Sequence, residues 1–399
     1  MGGVKDISIL AIFCLLSCLT DLALGDNGAE RELLYIVDNI TPEQFKRYGW
    51  IYPPGYWPQR HESNHLVPPI DFSLYRHAYR TGNYDPNADP YISAFPTLEA
   101  ALERSRRQYG SWAYIYQVHA TPNFINVSAT LGEYGMPDEP MAAYGPVHFS
   151  QVTGWWRVSA SPRRLRPNGD FNGRLYGGLR DSGAVYQLAG FPDGHPALQR
   201  PPWVDFSHCG APPPGLRRRR ASNVADCEAA RTVQLRRQAA DFQWHLPCYA
   251  IDGLAVRLVM DDSYWAGTYD LVSVSLGKAS KPMIMKKGPA HGDTIDKDAD
   301  MPDLFGSSLV SLKDLSPALL VDTPDPYQWE GRDGWKVKEL SMVAHCVGSN
   351  KKLRYQTSEM AGHWLKAWKW GPTAVWKVNI DPRKWLEVSH SAKPSPWTE

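Results

Sequence analysis

The segment from Cys209 to Cys227 constrains this chain more than any other. It runs from Cys209 through Pro212, Pro213 and Pro214 to Arg217, Arg218, Arg219 and Arg220, then through polar residues to Cys227. Consecutive prolines cannot enter a helix interior or a central strand, and four adjacent like charges cannot be desolvated together. The segment is therefore an exposed loop, and the chain on each side of it has to close a core of its own. At 399 residues there is enough chain for two such bodies. The expected organisation is a first domain over 26–206, a loop and linker helix over 207–243, and a second domain over 244–399.

The N-terminus reads as a signal peptide over 1–25. Lys5 supplies the positive end, Ile9 to Leu19 the apolar run, and Ala23-Leu24-Gly25 the small residues of a cleavage site. That run is too short to span a bilayer, and no other stretch qualifies as a transmembrane segment. The expected location is secreted and extracellular. Cleavage would remove Cys14 and Cys18 and leave Cys209, Cys227, Cys248 and Cys346. An even count in an oxidising compartment points to two disulfides. Three pairings are possible; the expected one joins Cys209 to Cys227, closing the short loop, and Cys248 to Cys346. Asn39 and Asn126 each open a glycosylation sequon.

Charge is balanced, with 43 Lys+Arg against 42 Asp+Glu, which excludes nucleic acid as a bulk electrostatic partner. No Cys or His cluster has zinc spacing. Asp296, Asp298 and Asp300 begin like a calcium loop, but Met301 stands where the turn needs glycine, so no metal is expected.

The first domain reads as short, mixed elements. Leu33 to Val37 is a strand, and Thr41 caps a helix from Pro42 to Tyr48. Thr97 caps another from Leu98 to Tyr109. Trp112 to His119 and Gln151 to Ser159 are strands. With no βαβ rhythm, the fold class is α+β. Residues 228–243 read as a helix. Beyond it, 254–259, 269–274, 309–312, 335–343 and 373–380 alternate as strands of an antiparallel sandwich. Met360, Trp364 and Trp368 stand four apart, which predicts a helix from Ser358 to Trp370. The tryptophans 364, 368, 370 and 376 are then expected to pack that helix on the sandwich.

Several blocks of the first half occur together in one order. They are Tyr35-Ile36-Val37-Asp38 with Thr41-Pro42-Glu43, Leu74-Tyr75-Arg76-His77-Ala78, Tyr91-Ile92-Ser93, Ala120-Thr121-Pro122-Asn123, Ser150-Gln151-Val152 with Gly154-Trp155-Trp156-Arg157, and Leu188-Ala189-Gly190-Phe191-Pro192. This series resembles the heat-labile enterotoxin / cholera toxin A-subunit family. The resemblance implies an ADP-ribosyltransferase fold that takes NAD and modifies a protein arginine. It also implies a disulfide around a protease-cut loop, the place taken here by Cys209, Cys227 and the four arginines.

The family chemistry needs an arginine that grips the NAD phosphate, a Ser-Thr-Ser strand, and a Glu-x-Glu pair serving base and cation-stabilising roles. This chain departs at each point. The arginine position holds Ile36, the strand reads Ser93-Ala94-Phe95, and the glutamate region reads Pro137-Asp138-Glu139-Pro140-Met141. His77 is kept. The candidate site residues are therefore His77, Ser93, Asp138 and Glu139, with His77 and Ser93 as the candidates for NAD contact if the protein is active. Arg31 and Glu133 are the nearest substitutes for what is missing.

The family's toxic chain threads a ring of B subunits with a short tail that often carries a retrieval signal. Here the chain runs on to Pro396-Trp397-Thr398-Glu399, so the B-subunit ring is not expected. The first expectation is a secreted toxin-like effector, catalytically impaired, that binds a host cell surface or host protein. The alternatives are an active protein-arginine transferase with a rearranged site, in which a carboxylate and an arginine converge beside Ser93 and His77, and a secreted adhesion module.

Overall fold

The computed structural model describes residues 32–56, 70–81, 84–109, 112–158, 164–206, 224–327, 334–347, 351–368 and 370–388. The signal peptide, Arg31, Cys209 and Arg217 to Arg220 lie outside the described residues. The chain divides into two compact units, Met1–Ala239 and Ala240–Glu399.

The first unit is built on a seven-stranded antiparallel sheet. Its strands are β1 (Leu33–Asp38), β2 (Tyr91–Phe95), β3 (Tyr114–His119), β4 (Phe124–Asn126), β5 (Met141–Tyr144), β6 (Val152–Arg157) and β7 (Arg166–Pro167), in the order β4-β5-β2-β1-β3-β6-β7. Side chains alternate across a strand, so β1 serves two cores. Leu34 and Ile36 face Phe45, Tyr116 and Val152, while Tyr35 and Val37 face Phe95, Ile115 and Trp156. Helix α1 (Pro42–Tyr48) starts in a capping box of Thr41 with Gln44 and ends at Gly49, whose φ is 79°. Its Phe45 packs edge-on to Tyr116 and Phe149, with centroids 5.2 and 5.1 Å away.

Two further helices position the site. Helix α2 (Leu74–Tyr79) is capped by Ser73, whose hydroxyl donates to the Gly190 carbonyl at 2.8 Å. Gly190 has φ 62°, and a Cβ there would lie 2.6 Å from the Ser73 hydroxyl, so the contact requires glycine. Helix α3 (Leu98–Gln108) is capped by Thr97 and buries Ala101 and Ser105 against the sheet. Helix α4 (Val127–Leu131) is capped by Asn126. That side chain is 5% exposed and accepts from the Ala129 N–H, so the folded chain does not offer it to a glycosylating enzyme. Asn39 is exposed. Helix α5 (Val224–His245) begins earlier than the sequence suggests and carries Cys227, which is disulfide-bonded.

The second unit is two antiparallel sheets around one core. Its strands are β8 (Ile251–Met260), β9 (Leu271–Leu276), β10 (Met283–Lys287), β11 (Thr294–Asp298), β12 (Ala318–Thr323), β13 (Val337–Cys346), β14 (Lys352–Thr357), β15 (Thr373–Val378) and β16 (Leu386–Glu387). One sheet has the order β11-β8-β13-β14-β16 and the other β10-β9-β12-β15. Val256, Leu258 and Met342 from the first meet Val272, Val274 and Leu320 from the second. A disulfide joins Cys248 to Cys346, whose Cα atoms are 5.3 Å apart.

Two expected elements are not formed among the described residues. Residues 309–312 form only a bridge, Val310 to Ile251, before a 3-10 turn over Leu312–Leu315. Residues 358–368 form turns and extended chain rather than a helix. Gly362 takes φ 80°, and Leu365 exchanges both backbone hydrogen bonds with Trp335. Burial there follows the period of two of extended chain. Leu365 and Ala367 point in, while Trp364 and Trp368 point out at 55% and 70% exposure. The expected packing of Trp364, Trp368 and Trp370 on the sandwich is therefore not made. Trp376, on β15, is the one of the four that packs partly against the core.

Candidate functional site

The site lies where β2, α2, α3 and the turn before β5 meet. Ser73 sets the start of α2 and so delivers His77, which is 2% exposed, against β2. Its Nδ1 lies 2.7 Å from Asp89 Oδ2, and its Nε2 lies 3.3 Å from the Ser93 hydroxyl. Asp89 also accepts from the Tyr84 hydroxyl at 2.7 Å and the Tyr91 N–H at 3.0 Å. This fixes the ring, because the carboxylate holds the proton on Nδ1.

Glu139 enters from the turn before β5 and is 2% exposed. Its Oε1 is 2.6 Å from Arg104 Nη2 on α3 and accepts from Arg80 Nη2 at 3.4 Å. Its Oε2 is 4.0 Å from His77 Nε2 and makes no hydrogen bond among the described residues. Arg80 ends α2 with φ 50°, the one non-glycine residue with positive φ among the described residues. Asp138 turns the other way and pairs with Arg107 at 2.7 Å on the surface.

Burial of the His77 ring disfavours its charged form, but Asp89 first and Glu139 next outweigh burial and raise its pKa. The order Ser93–His77–Asp89 is that of a nucleophile relay, yet a ring kept protonated between two carboxylates cannot take a proton from serine.

His77, Ser93 and Glu139 are thus brought together, and Asp138 is not. Glu133 is also elsewhere, paired with Arg200 at 2.9 Å. Ile36 is fully buried opposite Ala94 and Tyr116. The sequence reading missed Asp89, Arg80 and Arg104. Arg104 and Arg107 stand three apart on one helix, and together they receive the adjacent acids Asp138 and Glu139. That spacing was the available signal.

The residues present do not fit NAD held in the family manner. The position of the phosphate-gripping arginine carries a buried alkyl side chain, and the carboxylate in the site is already held by two guanidinium groups.

The family model for the heat-labile enterotoxin alpha chain matches residues 12–246. The A chain of Escherichia coli heat-labile enterotoxin IIB is 34% identical over 221 residues, covering 52% of this chain and 80% of the relative. The corresponding toxic chain of Vibrio cholerae cholera enterotoxin is 31% identical over 209 residues, covering 50% of this chain and 78% of the relative. A crystal structure of an E. coli heat-labile enterotoxin mutant is 30% identical, covers 43% of this chain and 96% of its own, and superposes with a TM-score of 0.37. The chain belongs to the heat-labile enterotoxin A-subunit family of ADP-ribosyltransferase toxins.

Proposed function

We propose that this chain is a secreted, enterotoxin-A-like effector that keeps the transferase fold, has lost catalysis in the family manner, and acts by binding. One observation carries the reading: the site carboxylate of Glu139 is buried and held by Arg104 and Arg80. A carboxylate that stabilises a ribosyl cation has to face the ribose. Here the nearest positive charges are the protein's own. In this reading cleavage at Arg217 to Arg220, inside a Cys209–Cys227 disulfide, leaves two pieces that reduction separates. The second unit is then the part that meets the host cell.

The test is NAD binding by calorimetry and release of labelled nicotinamide, using nicked and reduced protein with an arginine analogue as acceptor. Neither binding nor turnover is expected. Turnover that disappears in Glu139→Ala would overturn the proposal.

That outcome would establish a second reading, an active transferase with a rearranged site. The convergence of Glu139, Arg104 and Arg80 beside His77 and Ser93 favours it, as does the Glu139 Oε2 atom that makes no hydrogen bond.

A further inference from the structure

Large exposed aromatic side chains are concentrated at one end of the second unit. Tyr264, Trp265 and Tyr269 stand on the β8–β9 loop at 75%, 76% and 63% exposure, and Tyr327 follows β12 at 91%. Trp364, Trp368 and Trp370, at 55%, 70% and 64%, stand on the β14–β15 connection.

These loops are tied to one another. Lys336 N–H donates to the Ala266 carbonyl at 3.1 Å, and Trp335 and Leu365 exchange hydrogen bonds at 2.9 and 2.8 Å. Ala367 N–H donates to Asp322 at 2.9 Å, and Asp325 N–H to Asp270 at 3.0 Å. Trp335, the largest fully buried side chain, stands at the base of the group. The rings are thus held on a rigid base although they themselves meet solvent.

Their charge environment is also ordered. The acids at this end have basic partners: Asp262 with Lys338, Asp293 with Lys286, and Asp325 with Lys287, while Asp261 accepts from the Ser263 N–H. Two lysines instead stack on rings, Lys336 4.4 Å above Trp364 and Lys366 5.8 Å above Trp368. A stem laid along a ring with its ammonium at the rim suits a boundary between an apolar and an aqueous phase.

We propose that this end of the second unit inserts into the interfacial zone of a phospholipid bilayer containing anionic lipid. Trp and Tyr place an apolar body and a polar tip at that depth, and the two ring-stacked lysines meet the anionic headgroups. Rings on several separate loop tips suit a fluid interface better than a sugar, which stacks on one or two coplanar rings. The inference rests on the second unit being the cell-binding part.

The test is flotation of the full chain with protein-free vesicles of phosphatidylcholine, alone or with phosphatidylserine. Binding is expected, stronger with the anionic lipid, and brominated acyl chains should quench tryptophan fluorescence. Trp265→Ala with Trp368→Ala should weaken binding about tenfold or more at unchanged melting temperature, since both rings are exposed. Lys336→Gln and Lys366→Gln should each reduce the preference for anionic vesicles about fivefold. Binding to intact cells but not to vesicles would overturn the lipid assignment and leave the cell-binding reading in place. Cell binding displaced by soluble oligosaccharide would assign the rings to sugar. Binding to neither cells nor vesicles would remove both readings.

Discussion

Glu139 and Arg104 form a close ion pair, 2.6 Å between Oε1 and Nη2, with the carboxylate 2% and the guanidinium 19% exposed. The pair ties the turn before β5 to helix α3. Removing one partner of a buried pair leaves the other charged and without compensation. Glu139→Ala should therefore destabilise the first unit by roughly 2–4 kcal/mol, somewhat below the value for fully buried pairs because Arg104 keeps some solvent. Thermal unfolding of that unit reads the loss. Adding Arg104→Met should recover a large part of it, and a doubly substituted protein no more stable than Glu139→Ala would show that the pair is not what holds the turn.

His77 retains its proton in the folded state to higher pH than in the unfolded chain, since Asp89 and Glu139 outweigh burial. The stabilisation this proton brings is complete below the unfolded value of 6.5 and is lost as the pH rises through the folded value. Asp89→Asn removes the larger of the two attractions while keeping the shape. The His77 imidazole resonance should then titrate at lower pH, with burial unopposed on that side. An unchanged titration midpoint would contradict the assigned network.

Asp322 is also shifted upward, but here burial drives the shift instead of opposing it. The side chain is fully buried, and burial together with nearby Asp270 pushes its pKa from 3.8 up to about 6. Between those pH values the folded state holds a proton that the unfolded chain has released. Its contribution is therefore fully favourable below about pH 4 and is lost as the pH rises through 6, a change on the order of 2–3 kcal/mol. Asp322→Asn should flatten this part of the stability profile of the second unit. The Asn oxygen can still accept from the Ala367 N–H. Equal denaturant midpoints at pH 4 and pH 7, before and after substitution, would argue against the shift.

The Cys248–Cys346 disulfide closes a sequence separation of 98 residues across the adjoining strands β8 and β13. Loop closure of that length restricts the unfolded chain by about 4 kcal/mol. Replacing both cysteines by serine should lower the melting temperature of the second unit by about 10 °C. A change of only a degree or two would mean that the β8–β13 pairing suffices.

Local chemistry made much of the architecture legible. Capping residues placed α1 and α3, since Thr41 and Thr97 satisfy backbone donors within their own first turns. Alternation placed β1 and β8, since the side-chain period of a strand is written directly into the chain. The order of motifs pointed to the family, and Ile36 and Phe95 showed beforehand that its phosphate grip and hydroxyl strand were gone. What the sequence could not supply were relations between distant segments. Glu139 and Asp138 are adjacent and chemically alike, yet one is buried against Arg104 and the other meets Arg107 at the surface. A carboxylate's role depends on which charges surround it, and these come from α2 and α3. The tryptophans from 364 to 370 illustrate the same limit. Their spacing of four suits a helix, but Trp335 captures Leu365 by its backbone and Gly362 turns the chain, leaving the rings outside. Periodicity reports one segment's preference, whereas the competing hydrogen bonds belong to another segment, and only the tertiary structure brings the two together.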